Sequence, residues 1–177
     1  GKEIDEQYIN DLTKVSLSPE SIARHHDMKI VYTPIHGTGV TVIPPTLKAF
    51  GFTNIIHVPE QDVVSGDFPT VVSPNPEEPA ALALAVEKAK ETDAELVLAS
   101  DPDADRVGAA VKNNEGEWVL LNGNQTALMF VYYLITRWKE LGKVNGKEYI
   151  VKTIVTTELI RTIAERNGVE IYDVYTG

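Results

Sequence analysis

The sequence predicts an α/β fold: a three-layer α/β/α domain with a mixed, mostly parallel sheet, followed by a partial second α/β domain. Three observations carry this expectation. Short β-rich or apolar runs alternate with helical segments along the chain, the pattern that builds a parallel sheet covered on both faces. Two runs after residue 106, separated by a four-residue turn, read as a hairpin and so bring an antiparallel edge. Finally, 177 residues with 43% apolar content can bury the core of one full domain, or of one domain and part of another.

The elements follow in order. Ile4, Tyr8, Ile9 and Leu12 recur at helical spacing, and Ser18-Pro19-Glu20 reads as an N-cap with proline at the first helical position, so two helical pieces open the chain. Lys29 to Thr33 is a β-rich run broken at Pro34. The glycine turn HGTG follows, and VTVIPPTLKAFG continues as a helix ended by Gly51. Ile55 to Val58 is the next strand, and QDVVSGDFPTVVSPNPEE, rich in Pro, Gly, Asp and Ser, is expected to be a long surface loop. Pro79 to Thr92 is helical by propensity, with Glu77 and Glu78 near its positive end. Leu96 to Ser100 is an apolar strand. Val107 to Val111 and Trp118 to Leu120 form the hairpin around the turn Asn113 to Gly116.

Asn122-Gly123-Asn124 then caps a long helix, QTALMFVYYLITRWKELG, before the strand YIVKTIVT, the helix TELIRTIAERNG and the strand VEIYDVYTG. These elements are too few to cover a sheet of their own. The expected division is 1–115 for the first domain and 116–177 for the start of a second, in a piece of a longer protein.

Composition excludes several classes of function. A formal net charge of −10 disfavours a nucleic-acid surface, which needs clustered Lys and Arg. With no cysteine, disulfides, thiolate metal sites and cysteine nucleophiles are excluded, and an oxidising compartment gains no support. The apolar runs are shorter than a membrane span, and GKEIDEQYIN has neither the basic nor the apolar region of a secretory signal; a cytoplasmic protein without a membrane partner is expected.

The chemistry concentrates in LASDPDADRVGAAV, residues 98–111, at the end of an apolar strand, where ligands gather in alternating β/α folds. Asp101, Asp103 and Asp105 on one tight turn can converge on a single point, and hard oxygen donors of this kind suit Mg²⁺ or Ca²⁺. An EF-hand is excluded, because its sixth and twelfth positions, counted from Asp101, hold Arg106 and Lys112. Three carboxylates, Arg106 and one divalent ion together leave the loop neutral. Arg106 adds the planar fork that fits phosphate oxygens, so the combination points to phosphoryl transfer. Pro102 fixes the backbone and removes an N–H, and Gly108 lets the chain leave the turn closely packed.

SDPDADRVG resembles the metal-binding loop of the α-D-phosphohexomutases, the phosphoglucomutase and phosphomannomutase family. TPIHGTG, FPTVVSPNPEEPAAL and LNGNQTALM occur in that family's order. DPDADR, PNPEE and VKTIVTTELI look most like the bacterial phosphoglucomutase branch that also includes phosphopentomutases. The resemblance covers nearly the whole chain and implies the second of four domains plus the beginning of the third. It implies that Asp101, Asp103 and Asp105 hold Mg²⁺ and that Arg106 steadies the transferring phosphoryl group. The implied substrate is a phosphosugar such as glucose 1-phosphate or glucose 6-phosphate. Phosphate would move between C1 and C6 of a hexose, or C1 and C5 of a pentose, through a phosphoserine and a sugar bisphosphate. No Thr-Ser-x-His-Asn-Pro segment is present, so the remaining domains of the same chain are implied partners and these residues alone are not expected to catalyse the reaction.

Two alternatives stand beside this one. A haloacid dehalogenase-type aspartyl-phosphate phosphatase has D-x-D-x-[TV] at a strand end, but Asp105 takes the Thr or Val place; the other is a non-catalytic divalent-cation-binding domain. Gly37 and Gly39 are expected to serve tight turn geometry, since Val42 breaks the G-x-G-x-x-G spacing of a dinucleotide loop, and His36 is expected as a polar wall. Asn75 is expected to cap the helix beginning at Pro79, and the tyrosines, Trp118 and Trp138 to fill core positions. Lys152 lies on the strand where the family has a sugar-contacting lysine, but its spacing to Leu159 differs and it is not assigned to the site.

Overall fold

The structure, a computed structural model, describes residues 1–176. The chain divides into two compact units, Gly1–Leu121 and Asn122–Gly177. The first begins with helices α1 (Lys2–Thr13) and α2 (Pro19–Arg24) and continues through strand β1 (Lys29–Thr33). A 3₁₀ turn over Thr38–Thr41 precedes α3 (Ile43–Phe50), so the helix expected from residue 40 starts one tight turn later. Gly51, at φ 118°, ends α3 in the left-handed conformation that glycine takes without a Cβ clash. Then come β2 (Asn54–His57), a single turn α4 (Pro59–Asp62), α5 (Pro79–Thr92), β3 (Leu96–Ser100), β4 (Val107–Lys112) and β5 (Trp118–Leu121).

The five strands form one sheet in the order β2-β1-β3-β4-β5. β1 pairs in parallel with β2 and with β3, whereas β4 is antiparallel to both β3 and β5, so four of the five strands run the same way. Because β5 completes this sheet, the division falls after Leu121 rather than within the hairpin turn near residue 115.

Alternation along the strands builds the three layers. Val31 and Val97 point to one face and pack with Ala81, Leu82, Ala85 and Ala89 of α5, whose small side chains let the helix approach the sheet. Tyr32 points to the other face, toward Gly39 and Ile43 at the start of α3. α1 covers α3 with half-exposed residues and buries none of its own completely.

The second unit holds α6 (Gly123–Glu140), β6 (Tyr149–Thr153), α7 (Leu159–Arg166) and β7 (Glu170–Val174). Asn122 accepts from the Gln125 N–H while the Gln125 side chain accepts from the Asn122 N–H, a reciprocal cap that starts α6. β6 and β7 are parallel, and Ile150 and Ile171 pack with Ile135, Ala164 and Val169 on the helical side. β6 is shorter than expected because Thr156 donates back to Thr153 and turns the chain, and expected strand residue Gly177 lies outside the described residues. The aromatic expectation needs correction: Tyr32 is buried and Trp118 packs against the first core, but Tyr132, Tyr133, Trp138, Tyr149, Tyr172 and Tyr175 are exposed.

Candidate functional site

The order of connection fixes where a site can form in the first unit. The chain leaves β1, crosses by α3 on one face to β2, then crosses by α5 on the other face to β3 on the opposite side of β1. Between the carboxyl ends of β1 and β3 the connections diverge and leave a crevice, which is where open α/β sheets bind ligands. The HGTG turn follows β1 and the aspartate turn follows β3, so both lie at this point.

Asp101 continues β3 and is buried, at 1% exposure. Its carboxylate survives there because Arg106 supplies two donors: the backbone N–H to Oδ1 at 3.0 Å and Nε to Oδ2 at 2.7 Å. Burial works to raise the Asp101 pKa, but these bonds and the guanidinium charge outweigh it and hold the carboxyl below its ordinary value. Ala104, at φ 61°, donates to the Asp101 carbonyl at 3.0 Å and closes the turn. Asp103 and Asp105 are exposed, and repulsion from Asp103, then from Asp101, raises the Asp105 pKa.

The turn brings one carboxylate oxygen from each of Asp101, Asp103 and Asp105 within 4.8 Å of one another; among the described residues no other group of three or more acidic, His or Cys side chains is so placed. An octahedral Mg²⁺ with metal–oxygen distances of about 2.0–2.1 Å spans about 4.2 Å between opposite oxygens, close to the spacing of these three carboxylates. The donor set, all hard oxygen with its excess negative charge, therefore fits a divalent cation. Arg106 is half exposed, with Nη1 3.4 Å from Asn75 Oδ1, and its outer edge remains accessible to an anion.

Asn75 is a residue the sequence placed differently. It does not cap α5, whose N-cap is Glu78 without a side-chain cap. Its Oδ1 instead accepts from the Glu77 N–H and from Arg106, and its Nδ2 donates to Glu78, so the PNPEE segment braces the arginine. Gly108 has the close packing expected of it, because a Cβ there would sit 2.3 Å from the Pro76 carbonyl oxygen of the same segment.

The HGTG turn works by contact. The left-handed residues are Ile35 and His36, at φ 47° and 62°, whereas Gly37 is extended. Gly37 and Gly39 are needed for room: a Cβ on Gly37 would meet Pro102 Cα at 2.3 Å, and one on Gly39 would meet the Tyr32 hydroxyl at 2.5 Å. Burial pushes the Tyr32 hydroxyl up to about 12, against the opposing effect of its 2.8 Å bond with Ser100.

His36 is buried and fully engaged. Val63 O can only accept, so Nδ1 donates to it at 2.9 Å, and Nε2 accepts from the Thr70 hydroxyl at 2.8 Å. Gln61, also buried, donates to Thr70 and to Ala81 O and accepts from Thr33 at 2.7 Å. The segment after α4 is thus tied to β1 and α5 through buried side chains, rather than being a simple surface loop.

In the second unit Lys152 is buried, with its side chain 3% exposed. Its ammonium donates to Glu158 Oε1 at 2.7 Å and lies 2.9 Å from Asp173 Oδ1; Arg161 binds both acids. Neither acid stood out in the sequence: Asp173 meets Lys152 only through the parallel register Lys152↔Asp173, and Glu158 reaches it from the N-cap of α7.

The fold and the turn define a class: an α/β/α domain that presents an acidic, arginine-flanked loop at a strand end. Residues 6–116 match the family described as Phosphoglucomutase/phosphomannomutase, alpha/beta/alpha domain II, and the chain belongs to this family. A phosphoglucomutase of Staphylococcus saprophyticus is 36% identical over 152 residues, which cover 86% of this chain and 27% of that protein. A human phosphopentomutase is 35% identical over 178 residues, covering 98% of this chain and 29% of that one. Among solved structures, a phosphoglucomutase/phosphomannomutase family protein from Burkholderia thailandensis matches with a TM-score of 0.75 at 22% identity, over 98% of this chain and 33% of its own. The chain thus spans less than a third of the length of these curated relatives. The family match sets the aspartyl-phosphate phosphatase alternative aside. Among the described residues, no helix is long and apolar enough to cross a membrane.

Proposed function

We propose that this chain supplies the Mg²⁺-binding loop of a phosphosugar mutase, an isomerase that moves phosphate between C1 and C6 of a hexose phosphate, or C1 and C5 of a pentose phosphate. Phosphoserine and a sugar bisphosphate serve as intermediates, and the serine is contributed from outside these residues. The observation that carries this reading is the convergence of Asp101, Asp103 and Asp105 beside Arg106, at the switch point of a domain of this family.

Each residue has a distinct part. Asp101, buried and fixed by Arg106, anchors the turn, while the exposed Asp103 and Asp105 bring the oxygens that complete a cation site. When bound, Mg²⁺ supplies positive charge that draws a phosphoryl oxygen and offsets its negative charge. Arg106 already spends Nε on Asp101, so its outer nitrogens orient the phosphoryl group and stabilise charge that develops on it. Asn75 keeps the guanidinium plane from swinging away.

The test is calorimetric titration of the 177-residue chain with Mg²⁺, beside Asp103→Asn and in the presence of glucose 1,6-bisphosphate. Saturable binding that the substitution abolishes and the bisphosphate strengthens is the expected result. Absence of binding at millimolar Mg²⁺ would remove the turn's role as an independent metal site.

A further inference from the structure

We propose that Thr38, in the glycine turn after β1, positions Asp103 for metal binding; the inference rests on the reading of the aspartate turn as a Mg²⁺ site. The two ends of that turn are already held. Asp101 is fixed by burial and by Arg106, and Asp105 lies two residues before β4 with Oδ1 3.7 Å from Arg106 Nε. Asp103, between them, is exposed and stands at the rim of a cavity of about 360 Å³ shared with Thr38 and with side chains of α1 and α3. Packing on that side is therefore open, and the place of Asp103 is set by its backbone.

Thr38 holds this backbone at the preceding peptide. Its N–H donates to Pro102 O at 2.9 Å, and its hydroxyl donates to the same oxygen at 3.1 Å. Pro102 O belongs to the peptide group that joins Pro102 to Asp103, so two donors from one residue hold in place the carbonyl of the peptide that leads into Asp103. The contact is close because Gly37 leaves no side chain between the two turns. Thr38 is itself anchored, since its carbonyl accepts from Thr41 Oγ1 at 2.9 Å. Nothing in this arrangement requires Thr38 to touch the ion; it is a positioning residue that acts through Asp103.

Positioning has a signature that general destabilisation lacks. Mg²⁺ demands near-octahedral geometry at short distances, whereas Ca²⁺ accepts longer bonds and irregular coordination. A turn whose middle ligand has been loosened loses Mg²⁺ before it loses Ca²⁺. Thr38→Val keeps the shape and the backbone N–H but removes the hydroxyl donor; Thr38→Ala does the same without any risk of overpacking; Thr38→Ser keeps the donor.

Calorimetric titration of the parent chain and the three variants with each ion tests this. The expected result is Mg²⁺ affinity weakened by about three- to tenfold in the Val and Ala variants, the size of one net hydrogen bond. Ca²⁺ affinity changes less, and the Ser variant stays close to the parent. Equal losses for both ions, or Mg²⁺ affinity unchanged in the Val and Ala variants, would overturn the positioning role while leaving the metal site intact. A parent chain that binds neither ion would instead overturn the metal site, and the role of Thr38 with it.

Discussion

Arg106 grips Asp101 with two donors that reach it by different routes, the peptide N–H to one oxygen and Nε to the other. A carboxylate five residues upstream is thus both buried and oriented before any cation arrives. The pair sets the plane of the Asp101 carboxylate and turns the outer edge of the guanidinium toward solvent.

Replacing Arg106 with Lys keeps the charge and the backbone bond but removes the planar fork. Loss of a charge-assisted bond to a buried oxygen is expected to lower stability, by less than for a buried pair because the arginine is half exposed. Urea unfolding followed by Trp118 fluorescence in a Trp138→Phe background measures this. Unchanged stability would mean that the Nε contact contributes nothing to holding Asp101.

The Lys152 cluster predicts a pH profile for the second unit. Hydrogen bonds from Lys152, with help from Arg161, hold Glu158 and Asp173 below the ordinary carboxylate range. Their stabilisation is present above that range and is lost as pH falls through the lowered values. Bonds to Glu158 and then Asp173 raise the Lys152 pKa, so its contribution is full below about 10.4 and is lost as pH rises through the raised value. Asp173→Asn is expected to lower stability at neutral pH and to flatten the acid limb. Unfolding followed by Trp138 in a Trp118→Phe background reads the profile, and parallel curves for variant and parent would refute the assignment.

Gln61→Leu tests the buried network behind the site. It leaves the buried Thr33 hydroxyl without its acceptor and removes the donor that Gln61 Nε2 offers to Thr70, at an expected cost of about 1–3 kcal/mol. Amide hydrogen exchange over residues 63–78 should also speed up, because Thr70 loses one of its two buried side-chain partners and is left with His36 alone. Exchange confined to its parent rate would show that this segment is held by other contacts.

Much of the fold was legible because the signals were local. Pro79 to Thr92 is helical over the expected residues, since proline at its start and a run of strong helix formers leave little for tertiary context to decide. The carboxyl-end position of the aspartate turn followed from the apolar strand before it. What escaped the sequence depends on distant segments meeting. Asn75 looked like a helix cap because the sequence shows its neighbours in the chain and not Arg106, 31 residues on. Gly37 and Gly39 looked like turn glycines, but the positive φ values fall on Ile35 and His36, and the need for glycine comes from Pro102 in the turn after β3 and from the Tyr32 hydroxyl folding back from β1. The exposed tyrosines of the second unit satisfied apolar periodicity, which predicts a face without saying what covers it.

Ile35 carries a wider implication. A β-branched residue in the left-handed region is unfavourable by about 1–2 kcal/mol, and it holds there while its side chain stays locked among Val58, Leu82 and their neighbours. The geometry of the glycine turn is therefore mortgaged to the apolar interior several residues away from any polar chemistry. Trimming a methyl group from that interior would slacken the turn and, through the Pro102 contact, the aspartate turn, so on the proposed Mg²⁺ reading the geometry of the site answers to side chains that never approach it.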